Sequence, residues 1–132
     1  MKLSFARIVT TDVPALTKFY RNITGITPKI LSEAYVEFQA AGASLAISSQ
    51  NTMDAYGARS TSPASNRSVV FDFQVEDVDS EYTRLRALIG DFVLKPTNQP
   101  WGNRSMLFRD PDGNLINFYA PIRRSGDDGE IR

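Results

Sequence analysis

Two residue types are missing from this 132-residue chain, and each absence removes a class of chemistry. There is no cysteine, so the chain can form no disulfide, thiolate nucleophile or zinc-thiolate site. There is no histidine either, so no imidazole can act as a base or a metal ligand. Ser-His-Asp and Cys-His catalysis are therefore excluded. Carboxylates could still hold a hard metal ion, and composition by itself leaves that alternative open.

Excess charge and long apolar runs are missing as well. Fifteen basic residues balance fifteen acidic ones, so we expect neither nucleic acid nor an anionic membrane among the partners. No run approaches the roughly 18 apolar residues of a membrane span, and the first residues lack the apolar core of a signal peptide. We therefore expect a cytoplasmic protein that folds as one domain over residues 1–132.

The most informative stretch that is present is Asp-Pro-Asp-Gly-Asn at 110–114, which lies between two apolar and aromatic segments. Proline pre-sets φ, Asp and Asn bond to nearby backbone, and Gly tolerates positive φ, so the run predicts a hairpin turn. The strands that it joins are expected at 105–108 and 115–119. An EF-hand calcium loop is excluded, because its sixth position would be Leu115 and its twelfth Pro121.

The first part of the chain predicts one strand, one helix and three more strands. Phe5 to Thr10 alternates as a strand does, Asp12 stands at a helix N-cap position, and Gly25 stands at a helix C-cap position. The apolar spacing between the two caps predicts a helix over residues 13–24. The strands that follow are expected at 29–32, 35–39 and 44–48.

The same order of elements begins again after residue 66. A strand is expected over Val69–Val75, and a helix follows that begins after Asp77 and ends at Gly90. Asp77 follows Asp12 by 65 residues, and Gly90 follows Gly25 by the same number, so both halves share one register. The remaining strands are expected at 92–95, 105–108 and 115–119.

The polar segment between the halves, residues 49–66, favours a linker over a ligand-binding loop, although Met53 and Tyr56 could reach a ligand.

A Trp101-Gly102 pair, an aromatic strand, the turn at 110–114 and the repeated βαβββ order resemble the vicinal oxygen chelate superfamily. That superfamily contains glyoxalase I, extradiol dioxygenases, fosfomycin-resistance enzymes and bleomycin-resistance proteins. The resemblance covers about residues 3–121. It implies an α+β fold in which two βαβββ modules form a curved mixed sheet cup around the ligand, with the helices outside. The expected parts are module one at 3–48, a linker loop at 49–66, module two at 67–121 and a frayed tail at 122–132.

Metal-dependent members of that superfamily grip a divalent ion with His or Gln in each first strand and Glu in each closing strand. The matching positions here are Phe5, Val70, Ala46 and Asn117. Three of these have no donor atom, and a single Asn carbonyl cannot retain a divalent cation against water. We therefore expect no metal, no cofactor and no catalytic residue, and an enzyme is the less favoured interpretation.

The resemblance then points to the bleomycin-resistance branch, whose members sequester a compound stoichiometrically. The implied function is a metal-free binding protein of the antibiotic-resistance type, which holds a small planar or aromatic ligand in an apolar cup and forms a homodimer. The first alternative is a metal-dependent lyase, isomerase or dioxygenase of the glyoxalase or extradiol type. Two others are a metal-free isomerase with Asp72 or Glu37 as the base, and a structural or regulatory module with a closed cup.

Strand alternation assigns side chains to the cup. Phe71 and Phe73 alternate with Asp72 and Gln74, so the aromatic pair is expected under a helix and the polar pair inside the cup. The candidate ligand-binding residues are Phe5, Arg7, Tyr35, Glu37, Asp72, Gln74, Trp101, Phe108, Asn117 and Tyr119.

Two hypotheses about these candidates stay open. Arg7 and Asp72 occupy equivalent positions in the two modules, so we expect them to face each other, either as a structural ion pair or as partners for a ligand carboxylate and a ligand amine. Trp101 is either a stacking platform for a flat ligand or a ring packed against the sheet rim.

Overall fold

The structure is a computed structural model that describes residues 1–57 and 59–122. The chain forms two compact units, one of Met1–Asn66 with Asp110–Gly113 and the other of Arg67–Arg109 with the chain from Asn114 onward. Each sheet has four strands, and both halves follow the βαβββ order, so the predicted α+β class and the two modules are confirmed. The expected frayed tail lies outside the described residues, apart from Ile122.

Module one follows the predicted boundaries closely. Its sheet has the order β1-β4-β3-β2, in which β1 runs parallel to β4 and the other pairs are antiparallel. The elements are β1 (Phe5–Thr10), α1 (Val13–Thr24), β2 (Lys29–Ser32), β3 (Tyr35–Gln39) and β4 (Ser44–Ser49).

Helix α1 begins and ends at the predicted caps. The Asp12 side chain accepts a hydrogen bond from the Ala15 backbone N–H at 3.0 Å, and Gly25 ends the helix in the left-handed region at φ 72°. The apolar face of α1 covers one face of the sheet, where the Tyr20 ring lies 6.3 Å from that of Phe38. The buried residues of the helix are Val13, Leu16, Thr17, Tyr20 and Ile23.

Module two repeats this topology, with the sheet order β5-β8-β7-β6 and a parallel β5/β8 pair. Its helix begins at the predicted cap, since the Asp77 carboxylate accepts from the Asp79 and Ser80 backbone N–H groups at 3.0 and 3.2 Å. The elements are β5 (Val70–Gln74), α3 (Val78–Leu85), β6 (Leu94–Asn98), β7 (Asn103–Arg109) and β8 (Leu115–Pro121).

The predicted end of α3 at Gly90 is wrong. The helix ends at Leu85, and Gly90 is not among the glycines with positive φ. The chain continues in a turn that keeps Ile89 buried, because its N–H donates to the Leu85 carbonyl at 2.8 Å. The strand expected at 92–95 begins at Leu94 instead, and Phe92 lies before it with its ring 4.9 Å from that of Tyr82.

The segment between the modules contains a helical turn that the sequence did not predict. Helix α2 (Gln50–Asp54) begins directly after β4, where the Ser49 hydroxyl accepts from the Thr52 N–H at 3.3 Å. This short helix packs against β1 and β4. None of the helices in the described part of the chain is long and apolar enough to cross a bilayer.

Candidate functional site

Each sheet has one face covered by the helix of its module, and we call the opposite face the far face. In module one, strand pairing places three rows of side chains on it. The rows, each read from β1 through β4 to β3, are Phe5, Ser44 and Gln39; Arg7, Ala46 and Glu37; and Val9, Ser48 and Tyr35.

Three small side chains lie along β4 on the far face of module one, and we call the surface formed by the three rows the trough. The central strand contributes only small side chains, Ser44, Ala46 and Ser48, while β1 and β3 carry longer ones on either side. Neighbouring strands lie roughly 4.8 Å apart, so the two walls are separated by about 10 Å at the backbone. Ala46 and Ser48 on the central strand are both 0% exposed, so a ligand can contact them only after a covering side chain has moved.

A buried hydroxyl without a partner lies at one end of this trough. Ser48 is 0% exposed, and its Oγ has no hydrogen-bond partner among the described residues. An unsatisfied buried hydroxyl is unfavourable in a folded protein, and most such groups find a partner. Ser48 is therefore an unused donor and acceptor at the floor of the trough.

The polar groups on the walls interact with each other. Partial burial raises the pKa of the Tyr35 phenol, and a hydrogen bond with Glu37 and that residue's charge raise it further. The nearby positive charge of Arg7 acts in the opposite direction. Glu37 also accepts a hydrogen bond from the Gln39 amide at 3.2 Å. Glu37 is therefore engaged by its own strand, on the wall opposite Arg7.

Helix α2 reaches the Arg7 wall. The Arg7 Nη2 atom lies 3.2 Å from the sulfur of Met53, and this thioether is the only side-chain hydrogen-bond acceptor that Arg7 has among the described residues. Sulfur in a thioether is a weak acceptor. Arg7 thus presents an exposed guanidinium with no carboxylate within 4.0 Å in the described part of the chain.

The far face of module two has a different surface. Its central strand β8 contributes the larger side chains Leu115, Asn117 and Tyr119, where β4 of module one contributes small ones. The Asn117 amide donates to the Asp72 carboxylate at 2.9 Å, and Asn117 Oδ1 is buried with no described partner. Gln74 lies beside Tyr119 on the same face and is exposed.

Phe108 must be removed from the candidate ligand contacts. It pairs with Ile116, so it lies on the helix-covered face of module two, and it is 0% exposed. Its ring packs against those of Phe92 at 5.8 Å and Phe118 at 5.2 Å. The correction has a simple cause: Met106, Leu107 and Phe108 are all apolar, so the sequence does not indicate which of them point to the core.

The other candidates lie where strand alternation put them. Phe5, Arg7, Tyr35 and Glu37 are on the far face of module one. Asp72, Gln74, Asn117 and Tyr119 are on the far face of module two.

Trp101 lies outside the strands, in the turn between β6 and β7, where it is 62% exposed. The expected approach of Arg7 to Asp72 stays a prediction; each has a partner within its own unit.

The four positions that match the metal ligands of the family do not fit a divalent ion. Phe5, Ala46 and Val70 carry no donor atom, and the Asn117 amide already donates to Asp72. Within residues 1–57 and 59–122, no three His, Cys, Asp or Glu side chains are grouped so that they could hold a metal. The donor set therefore gives a cation no coordination sphere at these positions.

A recess of about 420 Å³ lies elsewhere, beside the start of α3 in module two. Arg104 in its lining donates to the Asp79 carboxylate at 2.9 and 3.0 Å and to the Asn98 side chain at 3.0 Å. The recess contains none of the predicted site residues. We place the candidate site in the trough instead, because its Arg7 and Ser48 have hydrogen-bonding capacity that the described chain leaves unused.

Sequence reasoning missed the contact between Met53 and Arg7. No signal in the sequence predicted it, because it depends on how the chain turns after β4.

Comparison with known proteins gives a consistent result. Residues 2–118 match the family model described as Glyoxalase/Bleomycin resistance protein/Dioxygenase superfamily. The chain is 30% identical over 128 residues to the uncharacterized protein YraH of Bacillus subtilis (strain 168), an alignment that covers 92% of this chain and 100% of YraH.

Solved structures agree with the family match. A glyoxalase/bleomycin resistance protein/dioxygenase from Nocardioides is similar at a TM-score of 0.77 and 25% identity, over 100% of this chain and 90% of that one. A glyoxalase/bleomycin resistance protein/dioxygenase family enzyme from Burkholderia phytofirmans PsJN is similar at a TM-score of 0.82 and 18% identity, over 92% of this chain and 100% of that one. At 18% identity the likeness concerns the fold alone.

Proposed function

This chain belongs to the Glyoxalase/Bleomycin resistance protein/Dioxygenase superfamily, and we propose that it is a metal-free member that binds and sequesters a small planar or aromatic compound, as bleomycin-resistance proteins do. The observation that carries the proposal is the trough of module one. It combines an apolar floor at Ala46 with aromatic side chains at Phe5 and Tyr35 and a few polar groups. Ligand sites commonly have this composition, because apolar contact supplies affinity and a few polar groups supply orientation.

The donor atoms support binding over metal-assisted chemistry. A glyoxalase, dioxygenase or lyase of this family needs a Lewis acid at the positions that hold Phe5, Ala46, Val70 and Asn117 here. Glu37 and Asp72, the two carboxylates considered as bases, already accept hydrogen bonds from Gln39 and Asn117. Sequestration requires neither a metal nor a free base.

Calorimetric titration with naphthamide, a neutral planar probe, tests the proposal. We expect one molecule bound per chain, and mass spectrometry of the recovered probe should find it chemically unchanged. Adding and removing divalent ions should leave the affinity as it is. Failure to bind, or an affinity that depends on a stoichiometric metal, would count against the proposal.

A second test asks whether Trp101, which belongs to the other unit, takes part in binding, as the sequence predicts. Its exposed ring lies in the turn before β7 and offers a stacking surface of the kind that flat ligands use. Replacement by Ala should weaken naphthamide at least tenfold, which corresponds to about 1.4 kcal/mol. Leu88→Ala, which removes another exposed apolar side chain, is the control and should leave the affinity unchanged. An unchanged affinity in Trp101→Ala would assign this ring to the scaffold.

We extend the proposal to a homodimer in the cytoplasm. Family members commonly complete or bury their ligand cups at a two-fold interface, and self-complementary two-fold pairing is the commonest assembly of soluble proteins. The cytoplasm is supported by the absence of cysteine, and therefore of disulfides, from the given sequence.

A further inference from the structure

We propose that the trough of module one selects aromatic carboxylates, that Arg7 and the Ser48 hydroxyl hold the carboxylate, and that Met53 leaves Arg7 when the ligand enters. This inference rests on the proposed binding function and names the ligand class of that site. It also assigns α2 a role, because Met53 belongs to this short helix.

Ser48 is the first support. Its side chain is fully buried on the far face, in the row between Val9 and Tyr35, and its Oγ has no described partner. At this position Thr would add a methyl group, and Ala would supply no polar atom. Ser supplies a hydroxyl that can rotate toward a ligand oxygen. A ligand that accepts a hydrogen bond there satisfies a group that the protein alone leaves unsatisfied.

Arg7 is the second support. Among the described residues, the hydrogen-bond acceptor of its guanidinium is the Met53 thioether, at 3.2 Å, and a thioether is a weak acceptor. A carboxylate would replace that contact with two parallel charge-assisted hydrogen bonds, which are stronger and more directional. The exchange stabilises an anion more than a neutral group of the same shape, because only the anion adds charge to the hydrogen bonds, so Arg7 discriminates between the two.

Glu37 fixes the direction of the ligand. It lies in the same row as Arg7, on the other side of Ala46. A carboxylate near Glu37 would be repelled, while one near Arg7 is attracted. The carboxylate therefore lies on the Arg7 wall and the ring extends along the trough floor, over Ala46 and toward Phe5.

Met53 competes with the ligand for Arg7. The sulfur lies 3.2 Å from Nη2, and this nitrogen is one of the donors that a bidentate carboxylate would use. Because α2 is a single short helical turn and has no buried residue, its displacement exposes little apolar surface. Ligand entry and movement of Met53 are therefore coupled.

The test compares naphthoate with naphthamide, which has the same ring and no charge, in calorimetric titrations near pH 7. The native chain should bind naphthoate at least tenfold more tightly than naphthamide. Arg7→Gln should abolish that preference and leave naphthamide unaffected. Ser48→Ala should weaken naphthoate at least tenfold and, because it removes an unsatisfied hydroxyl, should not lower the urea midpoint of the unliganded protein.

Thr17→Val is the matched control for Ser48→Ala. Thr17 also carries a buried hydroxyl without a described partner, but it lies on α1, which covers the other face of the sheet. This variant should therefore leave naphthoate binding unchanged.

Methionine methyl resonances report on the coupling. Of the three methionines, Met53 should shift on addition of naphthoate, whereas Met106, which is fully buried in the core, should not. Met53→Leu identifies the resonance. Because it removes the competing sulfur, it should also tighten naphthoate several-fold without changing the affinity for naphthamide.

Three results would overturn the inference. Equal binding of both probes to the native chain would remove the carboxylate preference, and undiminished naphthoate binding in Arg7→Gln or Ser48→Ala would remove the assigned groups. A Met53 methyl that does not respond to saturating naphthoate would remove the coupling. In each case, binding of naphthamide would leave the proposed function standing, whereas failure of both probes to bind would refute both proposals.

Discussion

At the residue scale, the hydrogen bond between Tyr20 and Asp110 joins two buried side chains that are far apart in sequence. The Tyr20 hydroxyl donates to the Asp110 carboxylate at 2.7 Å across 90 residues of sequence, and both side chains are buried. Burial raises the pKa of the Tyr20 phenol well above its ordinary value, and the negative charge of Asp110 adds to the rise. The same carboxylate accepts from the Asp112 N–H at 2.9 Å, so Asp110 holds its own turn and α1 together.

Tyr20→Phe should therefore destabilise the protein by about 1.5–3 kcal/mol, the usual contribution of a hydrogen bond to a charged group. The ring and its contact with Phe38 remain in this variant, so the loss of stability measures the contribution of the hydroxyl alone. Urea denaturation measures it through the transition midpoint at an unchanged slope.

Tyr82→Phe is the control for that measurement. Its ring also packs on another aromatic ring, that of Phe92, but no described group bonds its hydroxyl. The control should change stability by less than about 0.5 kcal/mol. Equal effects of the two substitutions would mean that the bond to Asp110 contributes nothing specific.

At the element scale, an ion pair fastens α3 to β7. Arg104 on the strand donates to both carboxylate oxygens of Asp79 on the helix, at 2.9 and 3.0 Å. This hydrogen bonding lowers the pKa of Asp79, an effect that burial partly opposes. The pair is largely solvent-exposed, so its contribution is that of a surface salt bridge, about 0.2–1 kcal/mol.

The sign of the pH dependence follows from the lowered pKa. A carboxyl with a lower pKa in the folded state adds stability above its unfolded value of about 3.9 and loses it as the pH falls through the folded value. Arg104→Gln should therefore destabilise the protein slightly near pH 7, and the difference from the native chain should vanish in strong acid. Carboxyl-detected NMR should find a higher pKa for Asp79 in the variant.

Arg84→Gln breaks the neighbouring pair with Glu81 on the same helix, so it is the matched control. It should leave the pKa of Asp79 unchanged. A pKa of Asp79 that is the same in Arg104→Gln and in the native chain would show that Arg104 does not lower it.

At the scale of the whole molecule, each unit has a core of its own. The first contains Leu16, Tyr20 and Ile47, and the second contains Leu85, Phe108 and Phe118. The turn residues Asp110–Gly113, which come from the hairpin of module two, belong to the first unit. Neither unit is therefore a continuous segment of sequence, and the cup in which family members hold their ligands stays a prediction for this chain.

The proposed homodimer makes a prediction at this scale. Analytical ultracentrifugation should find a species of twice the chain mass of 14.7 kDa, and the thermal midpoint should rise with protein concentration, since mass action favours the associated folded state. A single-chain mass at every concentration would contradict the dimer and would leave the ligand proposal untouched.

The sequence alone determined the local structure. Helix α1, its caps Asp12 and Gly25, and the turn at 110–114 follow from side chains that bond or constrain the backbone within a few residues, and such effects are readable in order along the chain. Alternation along β1 and β5 placed Arg7 and Asp72 on the far faces for the same reason. The family resemblance rested on these local features.

Only the tertiary structure decided those features that depend on contacts between residues far apart in sequence. The register of β7 against β8 put Phe108 in the core, where a run of apolar residues had left its direction open. The contact of Met53 with Arg7 and the bond from Tyr20 to Asp110 depend likewise on residues far away in sequence. Periodicity and capping act within one element, whereas packing chooses among arrangements that those local effects leave nearly equal in energy.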